Sequence, residues 1–69
     1  MIFQVIDLRS ETIAPQVEVE AASPEEAARN VLGIEVFRGG VLRDVVARVY
    51  WETAGSRNMV RLYARPVTR

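Results

Sequence analysis

Residues 16–33 read QVEVEAASPEEAARNVLG, and this stretch decides the fold. It begins with period-two alternation: Val17, Val19 and Ala21 point one way, and Gln16, Glu18 and Glu20 the other. That pattern predicts a strand with one buried and one wet face. Ser23 follows as an N-cap whose hydroxyl can accept from first-turn amides, and Pro24 sits at the first helical position, where a missing N–H costs nothing. Glu26, three residues after Ser23, completes a capping box. With Glu25 it also places negative charge at the positive end of the helix dipole. Pro24, Ala27, Ala28, Val31 and Leu32 recur at helical spacing as one apolar stripe. Gly33 is a natural stop because it takes a left-handed conformation without steric cost. The expected helix covers about 24–32, and a helix this short holds only when packed on a sheet.

Upstream, residues 2–8 (IFQVIDL) predict a strand with Ile2, Ile6 and Leu8 on one face and Phe3 and Val5 on the other. Apolar residues on both faces suit a central strand. Arg9 to Pro15 is a polar connection able to join two antiparallel neighbours. Downstream, Ile34–Phe37 is a short apolar run that could add an extra strand. Gly39-Gly40 is a two-residue hairpin signal. Residues 41–51 (VLRDVVARVYW) fit two patterns. Val41, Val45, Ala47, Val49 and Trp51 share one strand face, whereas Leu42, Val45, Val46 and Val49 fit a helical stripe. The β-branched valines and terminal aromatics favour a strand. Residues 52–58 (ETAGSRN) read as a turn with Gly55 and Asn58 as breakers. Residues 59–67 (MVRLYARPV) read as a last strand with Val60, Leu62 and Ala64 inward and Arg61, Tyr63 and Arg65 outward. Pro66 suits a strand end or edge.

The expected architecture is a single small α+β domain over residues 1–69, in the order β-β-α-β-β, with a short helix on one face of an antiparallel sheet. One nine-residue helix cannot cover such a sheet, which leaves Phe3, Val5, Leu42, Val46, Tyr50 and Tyr63 as candidates for the uncovered side.

Composition removes several chemistries. Cysteine and histidine are absent. That excludes disulfides, thiolate metal sites, the commonest general base and the usual near-neutral pH switch. Lysine is absent too, since all nine cations are arginine, which excludes Schiff-base chemistry and a phosphate-loop lysine. Ser10, Ser23 and Ser56 have no histidine or lysine to activate them. Asp7, Glu11, Asp44 and Glu52 lie near strand ends but show no metal-loop spacing. A non-enzymatic protein without catalytic residues, metal or cofactor is the expectation. Nine acids balance nine bases, so no net charge pulls the chain toward nucleic acid or anionic lipid. No run approaches the roughly 20 apolar residues of a membrane span, and the N-terminal residues lack the features of a signal peptide. Cytoplasmic residence is expected.

Two surfaces remain as candidates. Arg48, Tyr50, Arg61, Tyr63 and Arg65 share the outer sheet face by alternation, and interleaved basic and aromatic side chains on a sheet are how single-stranded nucleic acids are stacked and held. Cross-strand pairing of these arginines with Glu18, Glu20 and Asp44 needs no ligand, fits the zero net charge and is the favoured explanation. The K/R-G-F/Y-G/A-F motif of RNA-recognition modules is absent. The uncovered apolar face is the second surface. Exposed contiguous apolar area on a small protein marks an interface, so a homo-oligomer or a protein partner is expected, with nucleic acid as the alternative. The passage VEVEAASPEEAARNVLG is similar to a strand-to-capped-helix phrase of many small bacterial α+β proteins, HicB-like antitoxins among them. The Y-x-A-x-x-P-D-L-P-G hairpin of that family is missing here, and no family is assigned.

Overall fold

The computed structural model describes residues 1–9 and 16–66. The connection read above as ending at Pro15, with Ser10 and Glu11, lies outside the described residues, as does Val67. Four strands form one antiparallel sheet: β1 (Ile2–Asp7), β2 (Val17–Glu20), β3 (Val45–Thr53) and β4 (Ser56–Tyr63), with α1 (Pro24–Leu32) between β2 and β3. The order across the sheet is β2-β1-β3-β4, so the expected α+β, β-β-α-β-β architecture holds.

The helix occupies the residues its signals predict. The Ser23 hydroxyl accepts from the Glu26 amide at 3.2 Å. The Glu26 carboxylate reaches back to the Ala22 amide at 2.9 Å, one residue earlier than the usual partner of a capping box. Gly33 closes the helix at φ 74° and donates its N–H to the Arg29 carbonyl. Replacing Ser23 with alanine leaves the Glu26 amide without its acceptor and should cost about 1 kcal/mol. For a domain of this size that lowers the thermal midpoint by about 4–8 °C; an unchanged midpoint in a calorimetric scan would show that the cap contributes nothing.

Pro24, Ala27, Ala28 and Leu32 are buried against a sheet face made of Phe3, Val5, Ala47, Val49 and Leu62. Pairing sets this face. Val5 lies opposite Val17 on one side and Val49 on the other, and Ala47 opposite Leu62, so one row of alternate residues runs across the strands. Phe3 and Trp51 meet edge to face at 5.5 Å. Phe3, Val5, Val49 and Leu62 are the largest fully buried side chains. At about 1.5–3 kcal/mol each, their burial is of the same order as the net stability of a small domain.

Several expectations change. Phe3, Val5 and Val46 belong to the core and not to the uncovered side. The helix chose the Phe3/Val5 face of β1, leaving Ile2, Gln4 and Ile6 on the other. Residues 41–51 are not one strand. Leu42–Asp44 is a single 3₁₀ turn, Leu42 is 74% exposed, and pairing starts at Val45. The ladder then slips: Val45 lies opposite Tyr63, but Ala47 lies opposite Leu62. This bulge at Val46 puts Val45 out of phase with Ala47 and Val49, so the expected five-residue face breaks there.

Residues 34–37 contribute one bridge, Phe37 to Tyr63, with mutual backbone bonds of 2.8 and 2.9 Å, and not an extra strand. Gly39-Gly40 is not a hairpin. The hairpin is β3–β4, closed by Ala54 and Gly55 at φ 51° and 83° between paired Thr53 and Ser56. Positive φ at both central residues matches the twist of the flanking strands. The strands therefore run through most of the residues read as a turn, and Asn58 pairs with Trp51. At the far end β4 stops at Tyr63, so Ala64, expected inward, is exposed. Arg38 ties the crossing segment to the helix start through Glu25 at 2.6 Å, and this hydrogen-bonded guanidinium holds the Glu25 carboxyl below its ordinary value.

Candidate functional site

The sheet face opposite α1 carries no element of secondary structure among the described residues, and it brings together side chains from all four strands. Register defines its rows. Ile6, Arg48 and Arg61 form one row across β1, β3 and β4. Gln4, Tyr50 and Met59 form the next, with Glu18 beside Gln4 on β2. Ile2 follows with Glu20 on β2, and Glu52 with Arg57 on β3 and β4.

Of the five residues the sequence singles out, the structure assembles three. Arg48 and Tyr50 are half-buried neighbours on β3, and Arg61 is exposed beside Arg48. Their polar ends touch only loosely: Arg48 Nη1 is 3.5 Å from Tyr50 Oη, at the limit of a hydrogen bond. Tyr63 stands apart. It lies past the bulge, pairs with Phe37 and Val45, and carries Gly40 against the root of its side chain. Arg65 is exposed but beyond the end of β4.

Residues missed in the sequence complete the face. Arg57 stacks over the Tyr50 ring with its guanidinium carbon 4.7 Å from the centroid, a cation–π contact worth about 0.5–1 kcal/mol at an exposed site. Ile2 and Met59 are 45% and 41% exposed, and Ile6 is half-buried. Continuing the alternation of Arg61 back through Met59 to Arg57 would have found this column, had residues 56–58 been read as strand. Met1, Ile2, Gln4, Gln16, Glu52 and Arg57 line an open depression of about 460 Å³ at one end of the face.

The edges of the face differ in charge. Arg57 and Arg61 lie on β4 and Arg48 beside them on β3, with Glu52 opposite Arg57, whereas Glu18 and Glu20 lie on β2 at the opposite edge. The expected neutralisation of these arginines by Glu18, Glu20 and Asp44 does not occur. Among the described residues the ion pairs are Met1–Glu20, Arg9–Asp7, Arg29–Glu35 and Arg38–Glu25. Asp7 is held below its ordinary value by hydrogen bonds from Arg9, which engages it in a local surface pair. No group of three or more potential metal-ligating side chains occurs among the described residues, and no helix there is long and apolar enough to cross a membrane.

Comparison with protein-family models, with curated proteins and with solved structures gives no match for this chain.

Proposed function

We propose that this chain is a small non-enzymatic interaction module that binds protein through the open face of its sheet. The observation that carries this reading is the composition of that face. Ile2, Ile6, Tyr50 and Met59 form an apolar group across β1, β3 and β4, with Arg48, Arg57, Arg61 and Glu52 around it on β3 and β4 and Glu18 and Glu20 on β2. An apolar centre with a charged rim is the anatomy of a protein interface. Arginine and tyrosine are also the side chains that most often anchor one. A chain of this length buries only about 60% of its unfolded surface by itself, so covering a second sheet face adds stability as well as affinity.

A second reading is single-strand nucleic-acid binding by Arg48, Tyr50, Arg57 and Arg61. The stacked Arg57–Tyr50 pair favours it, since aromatic and guanidinium planes stack bases. Glu18, Glu20 and Glu52 on the same face weigh against it, because they would repel phosphates. The net charge of zero supplies no attraction to offset them.

Native mass spectrometry of the untagged protein at low salt tests both. The expected species is heavier than the monomer by the mass of a polypeptide. It is lost in an Ile2→Glu/Met59→Glu variant that keeps the circular dichroism of the parent. A bare monomer throughout a concentration series, or added mass made of nucleic acid, would overturn the protein-binding reading.

A further inference from the structure

We infer that the open face is self-complementary and that its partner is a second copy of this chain, related by a two-fold axis running along the strands. This rests on the reading of the face as a protein-binding surface. Across the sheet the order is β2-β1-β3-β4, with Glu18 and Glu20 on the first strand and Arg57 and Arg61 on the last. When two such faces meet, an isologous contact has only a few ways to close. A two-fold axis lying across the strands would set β4 over β4 and bring Arg57 and Arg61 against the same arginines of the other copy. An axis along the strands exchanges the two edges. It sets β4 over β2 and β3 over β1, and keeps the strands of the two sheets roughly aligned, as face-to-face sheet packing does.

The row structure carries the match further. Arg57 and Glu20 belong to the same level of the sheet, because Ile2 pairs with Glu20 and the β1–β3–β4 ladder places Glu52 and Arg57 in line with it. Each Arg57 therefore stands over Glu20 of the second copy. Arg61 lies two residues, about 7 Å along the strand, from the level of Glu18, within reach of a guanidinium across sheets about 10 Å apart. In the centre Tyr50 comes down over Gln4, between Ile2 and Ile6 of the other copy, and contributes the aromatic anchor twice. Glu18, Arg57 and Arg61, which have no ion-pair partner among the described residues of one copy, thereby find one in the next, and Glu20, paired within its own chain with the Met1 ammonium group, gains a second. The same arrangement rejects partners with a uniformly basic or acidic surface.

Four strands about 4.8 Å apart and some six residues long give a footprint of roughly 400 Å² per copy. Two copies together bury roughly 800 Å², less than the about 1,200 Å² of a stable specific interface, so the dimer is weak and reversible and must be read from a concentration series. Sedimentation equilibrium of the wild-type protein should show a monomer–dimer equilibrium. Arg57→Glu/Arg61→Glu and Glu18→Arg/Glu20→Arg change exposed positions, and each variant alone should weaken the dimer at least tenfold. Mixed in equal amounts, the two variants restore opposite charges at both edges and should form a one-to-one heterodimer at wild-type concentrations. A dimer indifferent to both variants, or variants that fold but do not combine, would overturn this arrangement. A wild-type monomer that carries a different polypeptide would overturn the second copy as partner yet leave the protein-binding reading standing; a bare monomer would overturn both.

Discussion

Replacing Leu62 with aspartate is expected to leave the domain unfolded at neutral pH. Leu62 is fully buried on the inner row of β4, opposite Ala47 and within the cluster that receives the helix. Losing the leucine side chain alone costs about 2–5 kcal/mol through lost transfer energy and the cavity left behind. The carboxyl that replaces it must also be neutralised. Protonating an aspartate at pH 7 costs about 1.4 kcal/mol for each of roughly three pH units above its ordinary pKa, or about 4 kcal/mol. An unpaired neutral carboxyl then adds about 1–3 kcal/mol. The total reaches or exceeds the roughly 3–10 kcal/mol available to a domain of this length.

The pH dependence identifies the mechanism. Burial raises the carboxyl pKa in the folded state, so its penalty grows above the unfolded value and disappears below it. The variant should therefore regain structure as the pH falls toward 4, read by far-ultraviolet circular dichroism, while the parent does not gain. The next residue provides the contrast. Arg61→Asp changes an exposed position on the opposite face of the same strand and should shift stability by no more than about 0.5 kcal/mol. A folded Leu62→Asp protein at pH 7 would mean that the two faces of β4 are reversed.

This contrast also marks how much of the molecule was legible in its residues. The strand-to-helix passage at 16–33 could be read closely because its signals are local. A serine cap, a proline and two glutamates in the first turn and a terminal glycine each act within one turn of the chain. Leu62 was placed inward by simple alternation, since Arg61 and Tyr63 flank it with polar groups. Alternation groups residues onto faces but does not say which face the helix takes. In β1 both sets are apolar, and the balance between Phe3/Val5 and Ile2/Ile6 is decided by how the small Ala27 and Ala28 seat the helix on the sheet, a tertiary matter. The bulge left no trace either. Val45 and Val46 are both β-branched, so an extra residue in the ladder changes neither composition nor propensity there. The hairpin turn was hidden because Ala54 holds a positive φ that alanine seldom adopts, where asparagine or glycine would have announced it. Part of the site was lost with it. Arg57 falls in residues that read as a turn and Met59 at a strand start, so by sequence the arginine column begins at Arg61 and runs on to Tyr63 and Arg65, whereas the strand extends back to Ser56 and ends at Tyr63.

Gly40→Ala is the second substitution expected to have a large effect, and its reason is contact and not backbone conformation. The glycines with positive φ are Gly33 and Gly55, and a Cβ at either would meet no atom within 4 Å. At Gly40 a Cβ would stand 2.7 Å from both Cβ and Cγ of Tyr63 and 2.9 Å from the Arg65 carbonyl oxygen. None of these is the free end of a flexible side chain. Tyr63 is held at its backbone by the bonds to Phe37, and Ala64 donates to the Asp44 carbonyl at 2.8 Å. The chain crossing from Phe37 to the 3₁₀ turn is thus pinned closely against the end of β4, and room for a methyl group opens only by giving up part of that pairing. Overpacking of this kind costs about 1–3 kcal/mol, with the upper end expected here because backbone bonds are strained as well. The thermal midpoint should fall by about 10–20 °C. Asparagine separates the two kinds of glycine. It tolerates left-handed backbone, so Gly33→Asn should be mild, whereas Gly40→Asn should be at least as damaging as Gly40→Ala. Because the strain falls on the bridge between Phe37 and Tyr63, the amides of those two residues should lose hydrogen-exchange protection before those of β1 do. Equal midpoints for Gly40→Ala and the parent would show that the crossing chain does not lie against Tyr63.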